Sequence, residues 1–539
     1  MSKFIIMDIA TSLKNKTGSW RTVRPEFVRR LPPCNVACPA GENIQQWLSL
    51  IQEGKFLEAW REMLKNNPFP AIMGRVCYHN CEKACNRGQF DCAVNINLLE
   101  RSIGDMAIAN GWKLEENASD CHPSGKKVLV IGAGPSGLTA AYFLRQYGHS
   151  VTIYEAQIKP GGMMRYGVPS YRLDRTILDA EINRIIVGDM KLSCNKRVNC
   201  LETELQRFDA IYVATGANLA VKTGMEIKDN AVVMDAIDMF RQLENGNLSI
   251  RLQGGNVLVY GGGNTAVDSA RTALRLGAKN VKIIYRRTLP QMKAHDSEIQ
   301  EALKEGIEIV CLRTINAIDG KKVLLEEVLP GENSGVIHKS GNNEVVRADA
   351  VIFAVGQSID NNLFSKVDGL EISENGALIV NKNMATSIAG IFAGGDIIHG
   401  KRTVTDAIGH GKKAARHIDA YLRGIEFASV PKSEVANFKK INTDYFQKID
   451  GLITSEFAKI SFEENKIFFN EEELIRGACR CFSCGNCANC DNCYGYCPDC
   501  AIRKKKDNSL EINYDYCKGC GICATECPHG AIKMTSEDA

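Results

Sequence analysis

The distribution of cysteine divides this chain more sharply than any other property. Of its 22 cysteines, twelve lie between Cys479 and Cys527 and six lie between Cys34 and Cys92. The long stretch between these groups holds only four. A chain of 539 residues is expected to form several domains. We therefore expect two cysteine-rich ends that bind redox centres, on either side of a larger catalytic body.

Two tandem cysteine runs near the C-terminus share one spacing. The pattern Cys-x2-Cys-x2-Cys-x3-Cys-Pro occupies residues 487–498 and again residues 517–528. In two-cluster bacterial ferredoxins, three cysteines of a run bind one [4Fe–4S] cluster and the fourth binds the other cluster. The spacing predicts one ligand set of Cys487, Cys490, Cys493 and Cys527, and a second of Cys517, Cys520, Cys523 and Cys497. A disulfide scaffold and zinc ribbons are the alternatives, and both fit this spacing less well.

Four more cysteines in this region have no predicted role: Cys479, Cys481, Cys484 and Cys500. They are reserve thiols, part of a slipped register, or another metal site. Because only Cys493-x3-Cys497-Pro498 completes the upstream run, we prefer the register that begins at Cys487.

Composition restricts the partners and the compartment. A formal net charge of +3 gives no argument for a nucleic-acid partner. No apolar run approaches the length of a membrane span. Cluster-binding thiols need a reducing compartment, so the sequence predicts a cytoplasmic protein.

A strand, a glycine turn, a helix, a second strand and an acid follow one another from residue 128. Apolar residues 128–131 lead into a glycine-rich turn, and a second apolar run over 151–154 ends at Glu155. The glycines let backbone N–H groups approach a pyrophosphate at a helix N-terminus, and the acid binds a ribose hydroxyl pair. The predicted dinucleotide-binding residues are Gly132, Gly134, Pro135, Ser136, Gly137 and Glu155.

The same unit recurs from residue 257. Its turn is Gly261-Gly262-Gly263-Asn264-Thr265-Ala266, and its second strand, residues 281–285, ends in two arginines instead of an acid. An acid would repel a 2′-phosphate, whereas arginine can bind one bidentately. This site is therefore predicted to prefer NADPH to NADH; the alternative is that the arginines only cap the strand. The predicted ligands are Gly261, Gly263, Asn264, Thr265, Arg286 and Arg287.

Further buried strands are predicted to end beside a flavin. Residues 210–216 end in Thr215-Gly216, and residues 391–396 end in Gly395-Asp396, before a helix that starts near Thr405. Asp396 could hold a ribityl chain while the helix dipole points at the isoalloxazine ring. His295 is interpreted as structural, because hydride transfer from nicotinamide to flavin needs no acid–base residue.

Together these landmarks resemble the glutamate synthase small-subunit family, over roughly residues 20 to 425. Further motifs of the resemblance are the cysteine patterns at 33–39 and 74–85 and the stretch Gly161-Gly162-Met163-Met164-Arg165-Tyr166-Gly167-Val168-Pro169. The resemblance implies an N-terminal iron–sulfur domain, then an FAD fold interrupted by an NADPH fold. It adds Gly162, Arg165, Thr215, Gly216, Gly395, Asp396 and Thr405 to the expected cofactor-binding residues.

The same resemblance implies one N-terminal cluster on Cys38, Cys77 and Cys81, with Glu100 as a non-cysteine ligand. A second cluster would use Cys34 and Cys85, with Cys92 as one candidate for a third ligand and one ligand unidentified. Family members often carry a Cys-x2-Cys pair upstream of Cys34, and this chain has no cysteine there. One or two N-terminal clusters are therefore expected; a structural zinc ion is the alternative.

We predict an α/β protein with two Rossmann-like domains for FAD and NADPH, an N-terminal helical iron–sulfur domain and a C-terminal ferredoxin-like α+β domain. The predicted divisions are 1–124, helical iron–sulfur domain; 125–220 and 350–425, FAD-binding domain; 221–349, NADPH-binding domain; 426–478, linker; and 479–539, ferredoxin domain. The predicted function is an FAD-dependent NAD(P)H oxidoreductase that passes electrons through [4Fe–4S] clusters to a ferredoxin or a partner reductase subunit.

Two other functions stay open: the electron-input subunit of a glutamate-synthase-like complex, and a ferredoxin:NADP⁺ oxidoreductase working in reverse. The chain has no glutaminase or ammonia-handling domain. No Cys-x2-Cys pair lies in the central domains, which argues against a disulfide relay. A homodimer and a hetero-oligomer are equally compatible with the sequence.

Overall fold

The computed structural model describes residues 16–113, 122–228, 231–247, 252–330, 337–365, 367–426, 433–453 and 460–537. Within them the chain forms a helical N-terminal domain, two parallel five-stranded sheets and a small C-terminal α+β domain. This confirms the predicted fold class. In the part of the chain so described, no helix combines the length and the apolar character needed to cross a membrane.

The N-terminal domain packs short helices around two tryptophans, Trp47 and Trp60, that are fully buried. Apolar residues recur on one face of each longer helix, so the helices bury those faces against one another. The helices are α1 (Pro33–Ala37), α2 (Ile44–Gln52), α3 (Phe56–Leu64), α4 (Pro70–Val76), α5 (Asn80–Lys83) and α6 (Ile96–Ala109). One strand, β1 (Val23–Phe27), precedes them.

The first nucleotide-binding sheet begins with β2 (Lys127–Ile131), β3 (Ser150–Tyr154), β4 (Lys191–Ser193) and β5 (Ala210–Val213). Its helices are α7 (Pro135–Gln146), α8 (Met163–Tyr166), α9 (Arg175–Ile185) and α10 (Leu201–Leu205). Val128, Leu129 and Val130 of β2 are fully buried. Such a continuous apolar run is typical of a parallel strand that is covered on both faces.

The second nucleotide-binding sheet has five strands: β8 (Val233–Asp235), β9 (Asn256–Tyr260), β10 (Asn280–Tyr285), β11 (Glu308–Cys311) and β15 (Ala350–Phe353). Their parallel order in the sheet is β11-β10-β9-β15-β8. Its helices are α11 (Ala236–Glu244), α12 (Asn264–Arg275) and α13 (Asp296–Lys304). A smaller sheet of order β14-β13-β12-β7 combines β7 (Glu226–Lys228), β12 (Arg313–Asp319), β13 (Lys322–Pro330) and β14 (Ile337–Arg347).

The chain crosses between the two nucleotide-binding sheets through a short antiparallel ladder of β6 (Leu219–Ala220) and β16 (Gln357–Ser358). It then adds β17 (Ile391–Ala393) to the first sheet, whose complete parallel order is β17-β5-β2-β3-β4. The long helix α14 (Val404–Arg423) follows and packs against α7. The first sheet is thus assembled from two chain segments with the second sheet inserted between them.

The two ends of the chain meet in the C-terminal domain. This domain contains α16 (Asn492–Gly495), α17 (Ile522–Thr525), the hairpin of β18 (Ile502–Lys504) and β19 (Leu510–Ile512), and β20 (Ile532–Ser536). Strand β1 pairs antiparallel with β20, in the register Val23 to Ser536 and Phe27 to Ile532. The predicted domain 1–124 therefore contains a strand that belongs to the ferredoxin-like sheet.

Where it is described, the predicted linker, residues 426–478, packs against the N-terminal domain and also bonds to the nucleotide-binding folds and to the C-terminal domain. Its helix α15 (Glu471–Ala478) buries Leu474 and Ala478 in the core that contains Trp47 and Trp60. The Glu464 carboxylate accepts hydrogen bonds from Arg75 Nε (2.7 Å) and from the backbone N–H of Asp174 (3.0 Å). The segment is thus held at several points on the surface it crosses.

Candidate functional site

A cavity of about 700 Å³ lies between the two nucleotide-binding folds. Residues from both folds line it, and so does Tyr78 of the N-terminal domain. Many of the predicted cofactor-binding residues are among them: Gly132, Gly134, Pro135, Ser136, Glu155, Gly162, Thr215, Gly216, Asn264, Thr265, Gly395 and Asp396. Of the ligands predicted for the second fold, only Asn264 and Thr265 line this cavity, and its lining does not include Gly261, Gly263, Arg286 or Arg287.

The first glycine turn leaves no room for side chains at two positions. Gly132 has a φ of +105°, and a Cβ there would lie 2.5 Å from the Ala214 carbonyl oxygen. A Cβ on Gly137 would lie 1.9 Å from the Gly132 carbonyl oxygen. Because both are glycine, α7 starts close to the end of β2, and its N-terminus faces the cavity. This is the arrangement that binds a pyrophosphate.

Two carboxyl groups face the cavity near the first sheet. Glu155 accepts hydrogen bonds from the backbone N–H groups of Ala133 (2.7 Å) and Gln157 (2.8 Å). Burial raises the pKa of Glu155, and these backbone hydrogen bonds oppose that rise. Burial also raises the pKa of Asp396, to about 6. Each carboxylate oxygen can accept more than one hydrogen bond, so both groups can still take a hydroxyl of a bound dinucleotide.

The second glycine turn contacts the N-terminal domain. The Asn264 side-chain amide donates a 2.6 Å hydrogen bond to the Tyr78 hydroxyl, and its oxygen accepts one of 2.8 Å from the His295 backbone N–H. The His295 ring stacks on Tyr78 at a centroid distance of 5.5 Å. These contacts hold Asn264 in place. His295 Nε2 is buried and has no hydrogen-bond partner among the described residues, so the structural interpretation of His295 stays a prediction.

The two arginines lie just beyond the end of β10, as predicted. Arg286 is exposed and Arg287 is half-buried. Arg287 Nε is shielded from solvent, and no described residue accepts a hydrogen bond from it. An unpartnered guanidinium N–H at this position fits a phosphate ligand.

Two predicted cofactor ligands contact protein groups instead of the cavity. Arg165 is fully buried, pairs with Asp179 and with Glu244 (3.2 Å), and donates to the Pro160 carbonyl oxygen (2.6 Å). The Thr405 hydroxyl donates to the Cys77 sulfur (3.3 Å). Sequence position alone does not show which side of a loop or a helix turn a side chain faces.

Two polar groups at the cavity wall have no hydrogen-bond partner among the described residues. They are Thr215 Oγ1 and Arg241 Nε, and both are buried. The sequence predicted Thr215 as a cofactor-binding residue, but it did not indicate Arg241. Arg241 lies on α11, far from the glycine motifs in sequence, and no motif indicated it. Orphaned polar atoms at a cavity wall are expected where a polar ligand binds.

In the N-terminal domain, α1, α4, α5 and α6 bring together the cysteines and the acid expected to bind one cluster. Burial raises the pKa of the Cys81 thiol, and nearby negative charge on Cys77, Glu82, Cys38 and Glu100 raises it further. A second buried carboxylate, Glu42, shares the Asn67 amide with Glu100, at 3.0 and 2.7 Å. No spacing in the sequence indicated Glu42.

In the C-terminal domain the cysteines fall into two groups that match the predicted crossed ligand sets. Cys487, Cys490, Cys493 and Cys527 line one small cavity, and Cys497, Cys517, Cys520 and Cys523 line another. The two halves are alike in detail, because the backbone N–H of Ala501 donates to Cys497 and that of Ala531 donates to Cys527, each at 3.3 Å. Such N–H···S contacts are typical of cluster ligands.

Paired dinucleotide folds around one cavity, together with grouped buried thiols, define the class of the iron–sulfur pyridine nucleotide oxidoreductases. The chain belongs to the pyridine nucleotide-disulphide oxidoreductase family, whose pattern matches residues 126–411. Residues 29–112 match the 4Fe-4S cluster domain II of dihydropyrimidine dehydrogenase, and residues 510–533 match a 4Fe-4S binding domain. These matches confirm the predicted kinds of cofactor: FAD, a nicotinamide dinucleotide and [4Fe–4S] clusters.

Several curated proteins are similar to the chain. The β subunit of NADP(+)-dependent formate dehydrogenase from Moorella thermoacetica is 36% identical, over 72% of this chain and 60% of that protein. The putative oxidoreductase YgfK of Escherichia coli K12 is 30% identical, over 92% of this chain and 48% of that protein. The glutamate synthase [NADPH] small chain of Escherichia coli K12 is 30% identical, over 72% of this chain and 89% of that one.

The resemblance to glutamate synthase small subunits is thus confirmed. The chain spans about half to three fifths of the length of the first two relatives. Among solved structures, T. acidophilum thioredoxin reductase aligns over 55% of this chain and 98% of its own, at 20% identity and a TM-score of 0.43.

Proposed function

We propose that this chain is an NADPH:acceptor oxidoreductase that passes electrons from NADPH, through FAD and [4Fe–4S] clusters, to a ferredoxin or a partner reductase subunit. The observation that carries the proposal is the shared cavity, which residues of both glycine turns line. When bound, flavin supplies the change from two-electron hydride chemistry to one-electron transfer. A reducing compartment, the cytoplasm, suits the many thiols.

The chain's own residues supply binding and orientation. The N-termini of α7 and α14 both face the cavity, with Pro135 and Val404 on its wall, so their positive dipole ends favour negative charge there. Asp396 is available to accept hydrogen bonds from ribityl hydroxyls. At the second fold, Arg286 and Arg287 would bind a 2′-phosphate, and the contact between Asn264 and Tyr78 fixes the start of α12.

Gly263 offers a variant that tests the proposal directly. Its φ of −100° is ordinary, and a Cβ there would meet no atom within 4 Å. Gly263→Val should therefore fold and keep its FAD and iron, while the added side chain occupies the space that a pyrophosphate needs. We expect anaerobic stopped-flow mixing with NADPH to bleach the flavin of the wild type rapidly, and that of the variant at least tenfold more slowly.

The matched control is Gly495→Val, at an exposed helical position outside the cavity lining, where a Cβ also meets no atom within 4 Å. It should be reduced like the wild type. A wild-type protein whose bound flavin does not respond to NADPH would overturn the proposal, and so would Gly263→Val reacting at the wild-type rate.

A second function is supported by the similarity to the small chain of glutamate synthase, which covers most of that protein. In it, this chain would be the electron-input subunit of a larger complex. Gel filtration of the native protein, with identification of any co-eluting subunit, separates the two functions. Co-elution with a glutamate-forming subunit favours the second function, whereas elution alone or with another reductase subunit favours the first. The latter could also run in reverse and reduce NADP⁺ from ferredoxin.

A further inference from the structure

Four cysteines from opposite ends of the chain line one small cavity. Cys34 and Cys85 come from the N-terminal domain, and Cys481 and Cys484 come from the segment that follows α15. The cavity has a volume of about 20 Å³, like the cavity among Cys497, Cys517, Cys520 and Cys523. The four thiols are thus grouped around a space that resembles the ferredoxin-like sites of this same protein.

The four cysteines line the same cavity. Cys34 is buried, and Cys85, Cys481 and Cys484 are half-buried. Within the described ranges, no group of three or more His, Cys, Asp or Glu side chains is arranged to hold a single metal ion. The thiols surround a space instead of converging on one point, which suits a cluster better than a mononuclear zinc site.

Hydrogen bonds to sulfur support the same conclusion. The backbone N–H of Ser483 donates to Cys481 Sγ (3.4 Å), and the side-chain amide of Asn86 donates to Cys484 Sγ (3.5 Å). Ser483 has a φ of +49°, so a tight turn separates the two cysteines. Turns with N–H groups directed at sulfur also surround the ferredoxin-like thiols of this chain.

The segment that carries Cys481 and Cys484 is fixed to the N-terminal domain by buried arginines. Arg480 is fully buried and donates to the carbonyl oxygens of Ala93 (2.9 Å) and Cys92 (2.6 Å). Arg87, also buried, donates to the Arg480 carbonyl oxygen (2.6 Å). A buried guanidinium is expected only where acceptors surround it, so these bonds define one docked position for the segment.

We propose that Cys34, Cys85, Cys481 and Cys484 bind a further [4Fe–4S] cluster, which has ligands from both ends of the chain. This cluster gives Cys481 and Cys484 a role: one supplies the ligand that the sequence left unidentified, and the other takes the place of the candidate Cys92. Cys92 is exposed, and its sulfur accepts a hydrogen bond from Arg480 (2.8 Å). With two clusters in the C-terminal domain and one on Cys38, Cys77, Cys81 and Glu100, the chain would hold four.

The test is the metal content of full-length protein purified without oxygen. Four clusters correspond to about sixteen iron atoms per chain. The double variant Cys481→Ser/Cys484→Ser should lose about four iron atoms and one reduced-cluster signal in the electron paramagnetic resonance spectrum. The matched control, Cys479→Ser/Cys500→Ser, changes two exposed thiols of the same region and should keep all the iron.

Cys34→Ser probes the same site from the other end of the chain. It should remove the same signal, and combining it with the double variant should cost no further iron, because one shared site can be lost only once. A loss of about eight iron atoms in the combination would overturn the proposal. If the double variant does not fold, the proposal is tested by Cys34→Ser and by the iron content of the wild type. About twelve iron atoms per chain in the wild type, or a bound zinc ion, would also overturn the proposal.

Discussion

The Thr405 hydroxyl donates a 3.3 Å hydrogen bond to the Cys77 sulfur. Thr405 lies in the first turn of α14, whose N-terminus faces the dinucleotide cavity, and Cys77 belongs to the N-terminal thiol group. One side chain therefore separates the two predicted redox sites. The N-terminal cluster site is directly adjacent to the flavin-binding fold.

We predict that Thr405→Val lowers the midpoint potential of the cluster whose predicted ligands include Cys77. A hydrogen bond to a ligand sulfur stabilises the more negative, reduced cluster, so its removal favours the oxidised form. A redox titration followed by electron paramagnetic resonance measures this potential. Ser102→Ala removes a hydroxyl that bonds to the Leu98 carbonyl oxygen in α6 and should leave the potential unchanged. An unchanged potential in Thr405→Val would contradict the adjacency.

We predict that Arg287→Ala and Arg286→Ala each weaken the use of NADPH far more than that of NADH. Loss of a charged hydrogen bond to phosphate costs about 1.5–3 kcal/mol, or roughly one to two decades in KM. Steady-state kinetics with both nucleotides measures the ratio. Lys282→Ala, which removes an exposed cation on the same strand, is the control. Equal losses for NADPH and NADH would show that the arginines only cap the strand.

We predict that Asp396 makes the stability of the flavin-depleted protein depend on pH. Burial raises its pKa from 3.8 to about 6, so the folded state binds the extra proton. The resulting stability is fully present below pH 3.8 and is lost as the pH rises through 6. The side chain at position 396 in the Asp396→Asn variant cannot ionise. The free energy of unfolding of this variant, relative to that of the wild type, should therefore rise by about 1 kcal/mol between about pH 5 and pH 7.

Urea denaturation at several pH values measures that difference. The control is Asp209→Asn. The pKa of Asp209 is lowered by a hydrogen bond from the Lys127 backbone, so Asp209 is ionised throughout this range. The effect of its replacement should be flat from pH 5 to pH 7. A flat difference for Asp396→Asn as well would show that its carboxyl group is not held neutral.

We predict that Glu100→Gln removes about four iron atoms per chain and that Glu42→Gln removes none. Both carboxylates are buried and share Asn67, so the two variants are matched in burial and in hydrogen bonding. Iron analysis and the FAD content of each variant provide the readout. The opposite result would assign the non-cysteine ligand to Glu42.

Local patterns were enough to predict the fold class. Each glycine turn is a short stretch in which Gly132, or Gly261 in the second fold, must adopt positive φ beside a neighbouring strand, and that requirement is visible in sequence. The grouping of the C-terminal cysteines around two small cavities also matches the spacing. Local sequence rules could not predict which way the side chains of Thr405 and Arg165 face. The same local backbone allows each side chain to face either the cavity or the protein interior.

The sequence by itself determined the kinds of cofactor, the two dinucleotide folds and the crossed thiol groups, because each depends on residues close together in the chain. Only the tertiary structure decided which distant groups meet. It paired β1 with β20 and placed Cys481 and Cys484 against Cys34 and Cys85. Such contacts depend on how buried arginines and apolar helix faces dock, and their free energy comes from surfaces that form only after each domain has folded.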